Sequence, residues 1–226
     1  MTDPDPQGRA TKLSNRVKDQ LPTVLLTLLS IVQALALELL WGHASTQASL
    51  FEGTTLTLWL EWLQLVATFI GVLLVWLIYS SMVMRFRWVP TTGDLVFPFL
   101  VGILEFLMIE LLGSHVLGPW LVVLGVIFAI MTWASQMTYR RARLDPENSD
   151  FFGNTPPASA KDFLMAGIVV LMLVGTGIVI WALAHQGWFA IIAILGAIGA
   201  LLMQMYLTDL FWRRSVFGNS PSQNTQ

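Results

Sequence analysis

Apolar residues in this chain form six long runs that are separated by short polar segments. The runs cover residues 21–42, 56–84, 94–113, 118–139, 162–184 and 188–212. With a rise of about 1.5 Å per residue, each run is long enough as an α-helix to cross roughly 30 Å of hydrocarbon. The runs also lack the alternation of polar and apolar positions that is typical of a membrane β-strand. The pattern therefore predicts an all-α, polytopic membrane protein with six transmembrane helices.

Composition supports this class and excludes a soluble domain. Hydrophobic residues make up 55% of the 226 positions and charged residues only 12%, whereas a soluble domain carries about 25% charged residues. A soluble chain of this length has too much surface for its volume to hide six such runs in a core. The chain has no cysteine, which excludes a disulfide framework and a thiolate metal site.

The twelve basic residues predict the orientation of the helices, because all of them fall on one side once the six runs are drawn as spans. They are Arg9, Lys12, Arg16 and Lys18 before the first run, Arg85 and Arg87 after the second, Arg140, Arg141, Arg143 and Lys161 between the fourth and fifth, and Arg213 and Arg214 after the sixth. Positively charged loops stay in the cytoplasm. We therefore expect both termini in the cytoplasm, with tails at 1–20 and 215–226 and an internal loop at 140–161. The compactness of the chain favours a bacterial inner membrane.

The three connections on the opposite side are short, which predicts three helical hairpins at about 21–84, 94–139 and 162–212 within a transmembrane domain at 21–214. The first and third runs end in similar sequences, IVQALALELLWGH from Ile31 and ILEFLMIELLGSH from Ile103. This alignment pairs Glu38 with Glu110, His43 with His115 and Gln33 with Glu105, and His185 ends the fifth run at a comparable place. The sequence therefore indicates an internal repeat, with chance agreement between apolar segments as the alternative.

Four of the fourteen acidic residues are glutamates that lie within the predicted spans, where a charged side chain costs at least about 2.5 kcal/mol. Glu38 and Glu110 lie about one turn from the outer ends of their helices. Glu61 lies near the outer start of the second helix, and Gln64 shares its face. Glu105 lies deeper, at the depth of Gln33. Such residues need water, a partner or a bound proton.

These residues predict a proton or cation site in the outer half of the first four helices, where desolvation and mutual repulsion keep a glutamate protonated. The candidate residues are Glu38, Glu61, Glu105, Glu110, Gln33 and Gln64, with His43 and His115 as pH-sensing candidates. The alternative is structural: the shallower acids reach the interface, and Glu105 pairs with Gln33 between helices. The ion site would belong to a small proton- or cation-conducting channel or transporter. The structural alternative would belong to a non-catalytic membrane subunit or assembly factor.

Nothing in the sequence points to a cofactor or to nucleic acid. The chain has no phosphate-binding glycine loop, no nucleophile elbow and no zinc-protease motif. Glutamate and histidine are suitable metal ligands, but Glu38 and His43 are five residues apart and do not share a helix face, so no metal is predicted. An enzyme is therefore the less favoured class. The expected partners are the lipid bilayer and a second membrane protein, either another copy of this chain or a larger complex.

Two further patterns predict packing. Small residues in the last two runs permit close approach of helix backbones: Gly167, Gly175, Gly177, Gly196 and Gly199, with Ala193, Ala197 and Ala200. Prolines and polar residues at 144–160 indicate an irregular loop, in which Phe151 and Phe152 are expected to dock on the membrane face or on a partner.

Overall fold

The computed structural model describes residues 6–47, 50–51, 54–152, 164–183 and 187–217, and all regular structure within them is helical. The helices are α1 (Pro6–Thr46), α2 (Thr55–Arg85), α3 (Thr92–Glu110), α4 (Leu117–Leu144), α5 (Ser149–Phe152), α6 (Leu164–Leu183) and α7 (Trp188–Phe217). Of the residues named above, Lys161 and His185 lie outside the described residues, as do 1–5 and 218–226 in the two tails.

Six of these helices, all except α5, are long and apolar enough to cross a membrane. The predictions of an all-α chain and of a multi-pass membrane protein with six spans are thereby confirmed. The ends of two helices differ from the predicted runs. Helix α1 begins at Pro6, so the described part of the N-terminal tail is continuous with the first span. Helix α3 ends at Glu110, and in the turn that follows Gly113 adopts a φ of 135°, a conformation that side chains disfavour.

Packing between the spans does not simply follow the order of the chain. Helix α1 packs on α2 and α3, and α3 packs on α4. Helix α6 packs mainly on α4, and α7 packs mainly on α2, whereas α6 and α7 contact each other only slightly. The α2 span is the most buried of the six, and the α6 and α7 spans are the most exposed. The described residues thus form a bundle in which α2 is the central helix.

Glycines allow the backbones of α4 and α6 to touch. A Cβ added at Gly118 would lie 2.7 Å from the backbone nitrogen of Trp181 and 2.8 Å from the carbonyl oxygen of Gly177. A Cβ at Gly177 would in turn lie 2.8 Å from the carbonyl oxygen of Gly118. Because 118 pairs with 181 and 125 with 174, the two helices are antiparallel.

The expectation is corrected for four of the other glycines of the last two spans, whereas Ala197 is buried as expected. Nothing lies within 4 Å of a Cβ added at Gly167, Gly175, Gly196 or Gly199. These glycines face away from the bundle, and of the five that we singled out in α6 and α7, Gly177 is the one that lies against another helix.

Ion pairs join the ends of α1, α2, α3 and α4 at one end of the bundle, which we name the basic end. Lys18 of α1 contacts Asp145 at 2.6 Å and Glu147 at 3.6 Å. The other pairs are Arg87 with Asp19, Arg87 with Glu147 at 2.6 Å, and Arg141 with Asp94 at 2.8 Å. Lys18 and Arg87, which the sequence assigned to one side of the membrane, are thus linked through a shared acidic partner, Glu147.

The segment after α4 is more ordered than its sequence predicts. Residues Pro146–Asn148 form a single 3-10 turn, and α5 follows directly. Asn148 secures this turn: its amide nitrogen donates to the carbonyl oxygens of Arg87 at 2.6 Å and Ala142 at 2.7 Å, and its oxygen accepts from the Arg87 backbone nitrogen at 3.1 Å.

Phe151 and Phe152, for which the sequence suggested docking on the membrane face or on a partner, contact an aromatic residue of the chain itself. Their rings pack on Phe86, with centroids 4.9 and 5.2 Å away, and Phe86 is 2% exposed. The turn at Asn148 thus directs both rings towards the chain's own aromatic core, and docking on the membrane face or on a partner stays a prediction.

The glycine contacts predict that Gly118→Ala destabilises the fold by about 1–3 kcal/mol, because the added methyl group meets backbone atoms that cannot move independently. The matched control is Gly167→Ala, at which the methyl group meets no atom and alanine is the better helix former. Thermal unfolding in a neutral detergent measures both. Equal midpoints for the two variants would contradict the close contact between α4 and α6.

The Lys18–Asp145 pair predicts an acid-sensitive contribution to stability. Burial alone would raise the pKa of Asp145, but the hydrogen bonds from Lys18 and from the Glu147 backbone, with the charge of Lys18, lower it overall. A carboxyl group with a lowered folded-state pKa stabilises the fold above its unfolded pKa of about 3.9, and this contribution is lost as the pH falls further.

Asp145→Asn should therefore lower the unfolding midpoint at neutral pH and reduce its fall on acidification. Asp209→Asn is the control, since Asp209 pairs with Arg213 on the exposed surface of α7 and such pairs contribute little. The measurement is the midpoint as a function of pH. An acid profile of Asp145→Asn that is identical to that of the wild type would exclude this role.

Candidate functional site

A buried carboxyl group lies between α1 and α3. Gly102 of α3 fits against Val32 of α1, whose Cγ1 would lie 2.4 Å from an added Cβ, so the two helices approach closely. Beside this contact, Nε2 of Gln33 donates to both carboxyl oxygens of Glu105, at 3.1 and 2.8 Å. Glu105 is 0% exposed and Gln33 is 5% exposed. The two residues that the repeat pairs, 72 positions apart, are thus in direct contact.

The chemistry of this pair allows it to hold a proton. Within the described residues, the amide of Gln33 is the one hydrogen-bond partner of Glu105, and Oε1 of Gln33 is buried without a donor. An ionised carboxylate can only accept hydrogen bonds, whereas a protonated one also carries an O–H donor. Protonation of Glu105 would therefore add a donor to a contact in which Gln33 Oε1 lacks one.

A cleft opens between α1 and α3 at the end of the bundle opposite the basic end. We name this the acidic end, after Glu38, Glu61 and Glu110. The cleft has a volume of about 590 Å³ and is lined by Leu35, Glu38, Leu39, Gly42, His43, Phe106, Ile109 and Glu110. Glu38 and Glu110 are exposed and form no ion pair or hydrogen bond within the described residues. Glu38 and Glu110, which occupy equivalent positions in the sequence alignment, therefore line the same cleft.

The cleft and the buried pair lie on the same two helices. Glu38 follows Gln33 by five positions, and Glu110 follows Glu105 by five. Five residues of α-helix correspond to about 7.5 Å along the axis. The exposed carboxyl groups are therefore about one and a half turns from the buried one.

Glu61 lies beside this cleft rather than in it. Its Oε1 accepts a hydrogen bond from the Ser114 hydroxyl at 3.3 Å, and its side chain is largely buried. With His43 and Gln47 it lines a cavity of about 10 Å³, which is about the space that one water molecule requires. Since His43 also lines the cleft, this histidine lies between Glu61 and the two exposed glutamates.

Gln64 has a different environment from the one that the sequence suggested. Its Nε2 donates to the carbonyl oxygen of Leu111 at 3.1 Å, and its Oε1 accepts from the backbone nitrogen of Gly113 at 3.0 Å. Both ends of the amide are thus used to hold the turn that follows α3. Gln64 shares with Glu61 the face towards this turn, but it lines neither the cleft nor the smaller cavity.

Two polar residues beside Gln64 escaped the sequence analysis. The Thr68 hydroxyl donates to the carbonyl oxygen of Gln64 at 2.8 Å and accepts from the indole nitrogen of Trp120 at 3.1 Å. Both residues are fully buried. The spacing of four between Gln64 and Thr68 places them on one helix face, and it is the signal that could have indicated this polar layer.

His115 is apart from the other candidates. It lies in the 3-10 turn Ser114–Val116, is exposed, and lines neither the cleft nor the smaller cavity. Across the described part of the chain, no three histidine, aspartate or glutamate side chains come together as a metal ion would require. The structure therefore brings Glu38, Glu110, His43 and Glu61 to one end of the bundle, above the Gln33–Glu105 pair.

The path between α1 and α3 is closed towards the basic end. One turn below the buried pair, on the same faces, lie Leu29 and Val101, each 1% exposed. Further down, Phe97 stacks on Tyr79 with a centroid distance of 5.9 Å, and the Tyr79 hydroxyl donates to the carbonyl oxygen of Asp94. The cleft thus lies at the acidic end, and apolar side chains fill the space beneath Glu105.

Comparison with known proteins gives no independent assignment for this site: no protein-family model, no curated protein and no solved structure matches the chain.

The environment of Gln64 predicts that Gln64→Leu lowers the free energy of unfolding by about 1–3 kcal/mol, because a buried backbone N–H and carbonyl lose their partner. Gln204→Leu in α7 is the matched control, since the Gln204 side chain forms no hydrogen bond within the described residues. Thermal unfolding of both variants measures the difference. A Gln64→Leu protein as stable as the control would show that the turn after α3 does not depend on this amide.

Proposed function

We propose that the chain is a small proton- or cation-conducting channel or transporter, in which the ion enters at the acidic end between α1 and α3 and the carboxyl group of Glu105 binds it. The observation that carries the proposal is the burial of this carboxyl group beside one neutral amide. Ionisable residues at this depth in a membrane span are costly and mark ion paths and proton relays.

The cleft supports a path to Glu105 from one side. Glu38 and Glu110 would concentrate protons or cations at its mouth, since both are exposed and have no basic partner within the described residues. His43 lies between them and Glu61 and can exchange protons near neutral pH. The apolar seal below Glu105 favours a transporter open to one side over a continuous pore.

The proposed setting follows from the basic residues. The basic end faces the cytoplasm, both termini lie there, and the acidic end faces outwards, as the positive-inside rule implies. The membrane is a bacterial inner membrane. The chain is organised as three helical hairpins with an internal repeat, which would explain why Gln33 and Glu105 occupy equivalent positions on parallel helices. The lipid bilayer is the partner that this setting requires.

Flux measurements in proteoliposomes test the proposal. Glu105→Gln should abolish proton or cation flux, because an amide cannot release a proton at this site. Glu110→Gln should reduce flux more weakly, because Glu110 lies at the mouth of the cleft. His115→Gln is the control and should leave flux unchanged, since His115 lines neither the cleft nor the smaller cavity.

An exchange variant separates function from packing. Gln33→Glu combined with Glu105→Gln returns one carboxyl group and one amide to the same contact between α1 and α3. We expect this double variant to recover part of the flux that Glu105→Gln loses. Flux in Glu105→Gln equal to that of the wild type would remove the residue from the mechanism.

A second candidate function is a non-catalytic membrane subunit or assembly factor. Its partner would be another copy of this chain or a larger membrane complex. The observation that favours it is that the amides of Gln33 and Gln64 both join one helix to another segment, as polar residues between membrane helices do. Absence of flux for every tested ion, together with stable co-purification of one membrane protein, would support this function over transport.

A further inference from the structure

Three basic side chains at the basic end are neutralised by carboxylates. Lys18, Arg87 and Arg141 each form an ion pair with an aspartate or glutamate. Arg85, the last residue of α2, is half-buried but forms no ion pair and no hydrogen bond with the described residues. No acidic side chain among the described residues therefore balances the charge of Arg85.

Aromatic rings hold the Arg85 guanidinium instead. Its Cζ lies 4.5 Å from the ring centre of Phe211 and 5.3 Å from that of Trp212, both in α7. A third ring, that of Phe86, lies 5.8 Å away. Aromatic faces attract a guanidinium but accept none of its strong hydrogen bonds. The three rings therefore fix the position of the cation and leave its N–H groups without strong acceptors.

One of these donors is buried. Nε of Arg85 is inaccessible to solvent and has no hydrogen-bond partner within the described residues. An unpaired buried donor on a charged group is costly. The two Nη nitrogens of this planar guanidinium are not buried in this way, and they can bind the oxygens of a phosphate through two parallel hydrogen bonds.

We propose that Arg85, with Phe211 and Trp212, binds the phosphate of an anionic phospholipid at the basic end of the bundle. Arg85 ends a membrane-spanning helix, so its guanidinium lies at the level of the lipid headgroups. The preceding residue, Met84, is 57% exposed on the apolar surface of α2, where an acyl chain can pack. Trp212 supplies an indole ring of the kind that is enriched at this depth.

Binding to purified protein in neutral detergent tests the site. The probes are dioleoylphosphatidylglycerol, dioleoylphosphatidylcholine and inorganic phosphate, and the readouts are the number of lipids retained in native mass spectrometry and the thermal unfolding midpoint. The wild type should retain phosphatidylglycerol in preference to phosphatidylcholine. Arg85→Gln should weaken this binding about tenfold, as expected for the loss of a charge-assisted hydrogen-bond pair.

Two further variants keep the test decisive. Arg140→Gln is the control, because Arg140 is an exposed residue of α4 at the same end and has no aromatic neighbour among its described contacts. Arg85→Lys retains the charge without the planar donor pair and should bind with intermediate affinity, even if Arg85→Gln fails to fold.

Three outcomes would overturn the proposal. Equal weakening by Arg140→Gln and Arg85→Gln would indicate general attraction between charges. Unchanged binding in Arg85→Gln and Arg85→Lys would remove Arg85 from the site. Stabilisation of the wild type by inorganic phosphate as strong as that by phosphatidylglycerol would assign the site to a soluble oxyanion.

Discussion

A carboxyl group buried between two membrane helices constrains the arrangement of this bundle. Glu105 has no basic partner within the described residues, and its hydrogen bonds come from one amide, that of Gln33. An unpaired carboxyl group at this depth would destabilise the fold, so α1 must face α3 in the register that brings position 33 to position 105. The close fit of Val32 against Gly102 maintains the same register. With this register fixed, Glu38 and Glu110 line one cleft and His43 connects that cleft to Glu61.

The two ends of the bundle have different physical roles. At the basic end, ion pairs and the Asn148 turn join helix ends, and the rings around Phe86 fill the space between them. At the acidic end, by contrast, carboxyl groups remain exposed and the helices separate around the cleft. A stable, closed end and an open, acidic end are what a one-sided ion site requires, because the seal must persist while ions exchange with water. The residues that stabilise the bundle and the residues proposed to bind the ion are therefore largely different.

The sequence predicts the features that depend on long runs or on local spacing. Six apolar runs suffice for six helices, and the similarity of the segments from Ile31 and Ile103 is enough to pair Gln33 with Glu105. Contacts between particular helices cannot be predicted from the length of the runs or from local spacing. Gly177 and Gly167 are indistinguishable in sequence, but Gly177 touches α4 and Gly167 faces no atom of the chain. Likewise, Phe151 and Phe152 follow a turn-forming segment, and only the hydrogen bonds of Asn148 to Arg87 show that they point inwards.

Infrared difference spectroscopy of the protein in lipid bilayers measures the protonation of the Glu105 carboxyl group directly. We expect a carboxylic C=O stretching band that changes with pH in the wild type and is absent from the difference spectrum of Glu105→Gln. Its position should shift when Gln33 is replaced by leucine, since Gln33 is the hydrogen-bond partner of this carboxyl group within the described residues. A difference spectrum that is the same in the wild type and in Glu105→Gln would contradict the account.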